Sequence, residues 1–269
     1  MKIKFYIVTY KRKKDLHNTL VSLFNTDINE YNVEVYIVNN HSEIFIDDEF
    51  KSRVKVLHNT FRPDSSTGHL SRNYNEIFLH GFKDLSNPDC DLLMHSHDDN
   101  TFDSMFFKKI IEHHKKYELI TFSQGCGLMS YTPEAVKTVG MWDERFCTIG
   151  YHEGDYFVRA LAYLKDKVSI NDPLQGREFN PLPWICTKLQ DTQQNNEHQR
   201  SFTYYPICRQ LWELKYPTIK DVGWSKEQYL NMPEPNISYF VMYPYFEKDL
   251  YNLDSKYFEG IDFNGKPFL

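Results

Sequence analysis

The residues best suited to chemistry in this sequence lie together in Asp91-Leu92-Leu93-Met94-His95-Ser96-His97-Asp98-Asp99-Asn100. The short apolar run from Leu92 to Met94 reads as a buried strand, and it leads into the adjacent carboxylates Asp98 and Asp99. Neighbouring carboxylates repel, so the pair adds nothing to the stability of a strand end. A divalent cation removes that repulsion, and hard carboxylate oxygens suit Mg²⁺ or Mn²⁺. In open α/β sheets, ligands bind just past the carboxyl ends of strands, where this pair falls. A solvated turn is the alternative, since Asp and Asn favour turns.

The elements that must position this pair follow from apolar spacing. Ile3 to Val8 reads as a first strand ending at Thr9-Tyr10-Lys11-Arg12. Leu16, Leu20, Leu23 and Phe24 then fall on one helical face. Val33 to Val38, nearly all β-branched or aromatic, reads as a second strand ending at Asn39-Asn40-His41-Ser42. Val54 to Leu57 reads as a short third strand, followed by a polar loop over 62–68 and a helix from Leu70 to Phe82. Strand, helix, strand, strand, helix, strand predicts an α/β fold with a mainly parallel sheet. Its polar clusters all lie at C-terminal strand ends, as the crevice of a nucleotide-binding sheet requires.

Further helices are expected over 104–117, after Pro133, and over 153–165, with a strand over 119–122. Glu153 and Asp155 open the last of these helices, where acids are also favoured simply by the helix dipole. Beyond Asp166 the pattern loosens and prolines punctuate it. We therefore expect a core over 1–165, with a nucleotide-binding half at 1–100 and an acceptor half at 101–165. An irregular, aromatic-rich extension over 166–269 is expected to pack on that core.

Composition narrows the function. The chain of 269 residues has 41% hydrophobic and 25% charged residues and a net charge of −6, as expected for a globular protein without a basic stripe for nucleic acid. No apolar run is long enough for a transmembrane segment, and the start has no signal-peptide pattern. The five cysteines make no CxxC pair and read as buried thiols of a reducing compartment. The expected location is the cytoplasm, at a membrane surface only through an acceptor.

Six segments in order carry a family resemblance. They are Phe5-Tyr6-Ile7-Val8-Thr9-Tyr10-Lys11-Arg12, Tyr36-Ile37-Val38-Asn39-Asn40-His41-Ser42, Gly68-His69-Leu70-Ser71-Arg72-Asn73, His97-Asp98-Asp99, Val139-Gly140-Met141-Trp142-Asp143-Glu144-Arg145-Phe146, and His152-Glu153-Gly154-Asp155 with Arg159. Together they resemble the inverting GT-A glycosyltransferases of the family-2 type, over roughly residues 2 to 165. Three positions depart from that pattern. Asn39 stands for an acid after the second strand, Ser96 or His97 for the first acid of the DXD metal motif, and His152 for the first acid of the later motif.

The resemblance implies a nucleotide-sugar donor, UDP-linked, with Mn²⁺ or Mg²⁺ as cofactor. A glycan, a lipid-linked sugar or a protein would supply the acceptor hydroxyl. It implies Asp99 as metal ligand, with Asp98 acting through water or through a ribose or sugar hydroxyl. It places Thr9, Tyr10, Arg12, Asn39 and Arg72 around the base and ribose. An amide oxygen at Asn39 can still accept from a uracil N–H. Arg12 and Arg72 are equally open to a surface role, and Arg72 to pairing with an acid. Inversion needs a general base opposite the leaving group. Glu153 is the candidate and Asp155 the runner-up, with Asp155 turned toward the helix start or Arg159. His198, in the polar stretch 190–199, is a further candidate metal ligand, on a loop expected to order with the nucleotide. A sugar-phosphate nucleotidyltransferase would need a Gly-rich loop after the first strand, and Thr9-Tyr10-Lys11-Arg12 has no glycine. A non-catalytic nucleotide-sugar-binding module on the same fold is the other alternative.

Overall fold

The structure, a computed structural model, describes residues 1–40, 43–44, 46–58, 70–122, 125–146, 150–172, 177–183, 185–188 and 205–216. His198, Gly68, His69, His41 and Ser42, named above, lie outside the described residues.

The elements run β1 (Lys2–Thr9), α1 (Lys13–Phe24), β2 (Asn32–Asn39), α2 (Asp48–Lys51), β3 (Val54–His58), α3 (Leu70–Phe82), β4 (Leu92–His97), β5 (Asn100–Phe102) and α4 (Phe106–His113). They continue β6 (Leu119–Thr121), β7 (Leu128–Tyr131), α5 (Pro133–Val139), α6 (Tyr151–Leu164), β8 (Val168–Asp172), β9 (Arg177–Phe179), β10 (Cys186–Lys188) and α7 (Tyr205–Lys215). Among the described residues the main sheet has eight strands, in the order β3-β2-β1-β4-β7-β6-β8-β9. β7 and β9 run against the rest, so the sheet is mainly parallel, as expected. β5 and β10 form a separate antiparallel pair.

Period-2 alternation in the parallel strands builds a core on both faces. Ile3, Phe5 and Ile7 of β1 join Val35, Ile37, Leu92 and Met94 under α1 and α4. Tyr6 and Val8 face the other way, with Tyr36, Val38 and Leu93, under α3, α5, α6 and α7. The close approach of α3 to the sheet depends on Gly81, where a Cβ would lie 2.1 Å from Leu93 Cδ1.

Two expectations change. The helix predicted over 104–117 is shorter, Phe106–His113: past His113 the backbone tightens into i→i−3 bonds, Lys115 N–H to Glu112 and Lys116 N–H to His113, and its start is set from outside its own sequence. The Asp27 carboxylate accepts the Phe107 and Lys108 N–H groups, both at 2.9 Å. The sheet also continues past residue 165. β8 pairs with β6 in parallel and β9 pairs with β8, both lying in the stretch whose pattern loosens. Buried Val168 and Ile170 on alternate positions are what hold β8 there.

Candidate active site

The parallel register aligns the functional strand ends. Thr9 stands beside Asn39 and Asn39 beside His58, while Val8 stands beside His97. The residues after β4 therefore reach the same edge of the sheet as Thr9. Asp98 and Asp99 are both buried there. The Thr9 hydroxyl donates to Asp98 Oδ2 at 2.7 Å. The turn is pinned by Asn100, whose Nδ2 donates to Ser96 Oγ at 2.9 Å and to the Gly127 carbonyl at 2.8 Å.

Burial pushes the Asp98 carboxyl up to about 7, with repulsion from Asp99 adding to the rise. The Thr9 hydrogen bond and the charge of Arg12 pull the other way. Two consecutive buried carboxylates are a donor set that fits a hard divalent cation.

The other residues expected around the nucleotide have their own partners. Tyr10 is buried. Arg12 lies 3.7 Å from Asp15. Asn39 Nδ2 lies 3.3 Å from His58 Nδ1 and 3.5 Å from the Glu43 carbonyl. Arg72 pairs with Glu144, Nε to Oε2, at 3.0 Å. Glu144 is itself held by Asn75 Nδ2 at 2.9 Å, and Asn75 also bonds both polar backbone groups of Trp142. The segment 142–145 is thus tied to α3 rather than left as a surface loop.

Glu153 and Asp155, both in the first turn or so of α6, have different surroundings. Asp155 is fully buried among two cations and one hydroxyl. Arg159 reaches Asp155 Oδ2 through Nε at 3.0 Å and Nη2 at 2.9 Å. Lys215 Nζ lies 2.5 Å from Asp155 Oδ1 and 2.9 Å from Asp143 Oδ2. Tyr216 donates to Asp155 Oδ1 at 2.6 Å. Burial pushes the Asp143 carboxyl up, but Lys215 and Arg145 outweigh it and hold it below the usual carboxylate range.

Glu153 instead faces a small cluster with Cys126 and His152. Cys126 Sγ lies 3.2 Å from His152 Nε2 and 3.6 Å from Glu153 Oε2, and the two α6 side chains are 3.4 Å apart. Gly125 has φ +57, and a Cβ there would lie 2.9 Å from Glu153 Oε1, so only glycine lets this loop approach the carboxylate. Tyr74 links the cluster to the aspartate pair. Its hydroxyl lies 2.7 Å from His97 Nε2 and 3.3 Å from Cys126 Sγ, while its ring stacks on His95 with centroids 3.9 Å apart. Burial pushes the His95 imidazole well below its usual range, and its Nε2 meets the Cys126 carbonyl at 3.0 Å.

Cys126, Tyr74 and Lys215 are not among the residues expected at the site from sequence. Cys126 carries a signal, since it stands between Gly125 and Gly127 directly before β7. Lys215 carries none, because its partners are 60 or more residues away.

No protein-family description matches the chain, and no curated protein does. Among solved structures, S. aureus TarS 1–349 in complex with UDP-GlcNAc is similar over 64% of this chain, at 14% identity and a TM-score of 0.44. A mannosyltransferase from Pyrobaculum calidifontis, PcManGT, in complex with GDP-Man and Mn²⁺, is similar over 62%, at 10% identity and a TM-score of 0.42. The matches cover 56% and 53% of those two chains, so this chain spans about half their length.

Proposed function

We propose that this chain is a metal-dependent inverting glycosyltransferase, moving a sugar from a UDP-linked donor to a hydroxyl acceptor in glycan or polysaccharide synthesis. The observation that supports it most is one contiguous arrangement. The buried Asp98-Asp99 pair lies at the strand end beside Thr9, and His97 connects through Tyr74 and Cys126 to Glu153. In this reading the nucleotide subsite and the candidate base adjoin one edge of the mainly parallel sheet.

The chemistry that a bound Mn²⁺ or Mg²⁺ supplies is neutralisation of the charge growing on the leaving diphosphate. Asp99 would hold it directly. Asp98, oriented by Thr9, would act through a water or a ribose or sugar hydroxyl. Asn39 would accept from the uracil N–H, with Tyr10, Arg12 and Arg72 around base, ribose and phosphates. Arginine suits that role because its planar fork matches phosphate oxygens. Glu153 would take the proton of the acceptor hydroxyl as its oxygen attacks opposite the leaving group. Asp155 has a positioning role in this reading, fixing the first turn of α6 on which Glu153 sits. His198 as a further metal ligand belongs to the same proposal. A glycan, a lipid-linked sugar and a protein all offer a suitable hydroxyl, and no nucleic acid is invoked. Among the described residues, no helix is long and apolar enough to cross a membrane.

The test is a screen of UDP- and GDP-sugars for slow hydrolysis with Mn²⁺, since transfer to water needs no acceptor. Release of UDP from a particular sugar donor is expected. Silence with every donor, in protein that binds UDP, would overturn the catalytic reading.

A further inference from the structure

The geometry points to a second, softer metal site, built from Cys126, His152 and Glu153, that takes Zn²⁺ and is chemically distinct from the aspartate pair. The three side chains are buried, and their candidate ligand atoms all lie within 4.8 Å of one another. Zn²⁺ binds thiolate at about 2.3 Å and imidazole or carboxylate at about 2.0–2.2 Å, so its tetrahedral ligands stand about 3.3–3.6 Å apart. The three separations here are 3.2, 3.4 and 3.6 Å. The ligand atoms therefore already span close to one face of a zinc tetrahedron.

The ligand types sort the metals. A sulfur, an imidazole nitrogen and one carboxylate oxygen suit Zn²⁺, whereas Mg²⁺ and Mn²⁺ prefer all-oxygen sites such as Asp98 and Asp99. Surrounding groups orient the set, as they do in metal centres. Tyr74 OH meets the Cys126 sulfur at 3.3 Å. His95 meets the Cys126 carbonyl at 3.0 Å. Gly125, at φ +57, lets the loop come close enough to Glu153. Binding replaces the thiol proton, which leaves to solvent, with the metal. Three protein ligands leave the fourth position of a tetrahedron for water or another donor.

The site has a consequence that rests on the transfer reading. A Glu153 carboxylate bound to Zn²⁺ cannot take the acceptor proton, so Zn²⁺ would inhibit transfer without displacing the donor or its hard cation. Binding itself does not depend on that reading, and the two are measured separately.

The test uses the full chain, reduced and metal-free, titrated with Co²⁺ as the spectroscopic stand-in for Zn²⁺. One equivalent should give a thiolate-to-cobalt charge-transfer band with the intense visible bands of a tetrahedral ion, and Zn²⁺ should bleach both. Cys126→Ser should abolish the charge-transfer band. His152→Gln should weaken binding at least ~10-fold. Cys208→Ser, outside the cluster, should leave the spectrum unchanged and exclude general loss of thiols. Absence of the band from the parent protein, or its persistence in Cys126→Ser, would overturn the site. In the inhibition arm, one equivalent of Zn²⁺ should suppress donor hydrolysis at saturating Mn²⁺. A cobalt band without inhibition would leave the site standing and remove Glu153 from the base role.

Discussion

The Tyr216 hydroxyl donates to Asp155 Oδ1 at 2.6 Å, fastening the C-terminal end of α7 to the first turns of α6. Lys215 and Arg159 complete the enclosure of that carboxylate. Removing one partner of a buried ion pair leaves the other charge uncompensated and costs about 3–5 kcal/mol. Asp155→Asn should therefore lower the melting temperature by roughly 6–12 °C, taking ~3 kcal/mol at 2–4 °C per kcal/mol. Turnover per folded molecule should change far less. A stable but inactive Asp155→Asn would exchange the roles given to Asp155 and Glu153.

Glu153→Gln should give the opposite pattern. The amide keeps the shape of the side chain, so melting temperature and UDP affinity should stay close to the parent values. Loss of a general base lowers turnover about 10² to 10⁴-fold. Transfer at near the parental rate would remove Glu153 from the mechanism.

Nucleotide binding should depend on a hard cation. Calorimetry with UDP should show much tighter binding with Mn²⁺ or Mg²⁺ than in chelator, and Asp99→Ala should lose that gain. Asp99→Asn should lose most of it, because a neutral amide is a poorer ligand for a hard ion. Equal affinity with and without metal would remove Asp98 and Asp99 as a metal site.

Asp98 makes stability depend on pH. Burial raises its folded-state value to about 7, whereas an unfolded aspartate titrates near 4. Between those values the folded chain holds more protons than the unfolded one, so this carboxyl lowers stability as pH rises from about 4 to about 7. In chelator, Asp98→Asn should flatten that decline and melt above the parent at pH 8. Mn²⁺ should raise the parent's melting temperature more at pH 8 than at pH 5, where protons compete for the ligand. Identical pH profiles for parent and Asp98→Asn would contradict the assignment.

Gly125→Ala probes the approach of the Cys126 loop to α6. An alanine there must adopt φ +57 and place its Cβ 2.9 Å from Glu153 Oε1. The left-handed backbone alone costs about 1–2 kcal/mol. Turnover should fall more than donor affinity, since the displaced group is the carboxylate and not the nucleotide edge. A parallel loss of both would indicate general disruption of the loop.

The parts of the fold written in local periodicity were legible in the sequence. β1, β2 and β4 alternate or run apolar because both faces of a parallel sheet are covered, and Leu70–Phe82 declares its helical face through Tyr74, Ile77, Phe78 and Phe82. The aspartate pair was legible because acids directly after an apolar strand have no packing purpose. What escaped is long-range. Asp27 caps a helix 80 residues away, and Lys215 neutralises acids in two other segments. β8 is only five residues long and carries Ser169 and Asn171 in its burial pattern, too brief a signal to separate from a loop. The flanking glycines mark the loop around Cys126, but only folding places its thiol between Tyr74 and Glu153.

The strand order has a consequence for synthesis on the ribosome. β1 lies between β2 and β4, but its partner residues on β4 are about 89 positions later, as Val8 opposite His97 illustrates. At about 5–20 residues per second, translation leaves the β4 side of β1 uncovered for roughly 4–18 s. For the last part of that interval, about 2–8 s after β3 ends at His58, a nascent β1–β2–β3 sheet would have an open edge at β1, whose Phe5 and Ile7 end fully buried. An unpaired edge of this kind is a template for association with other chains. Nascent-chain yield should therefore respond to codon speed and holdase chaperones chiefly between the codons for β3 and β4.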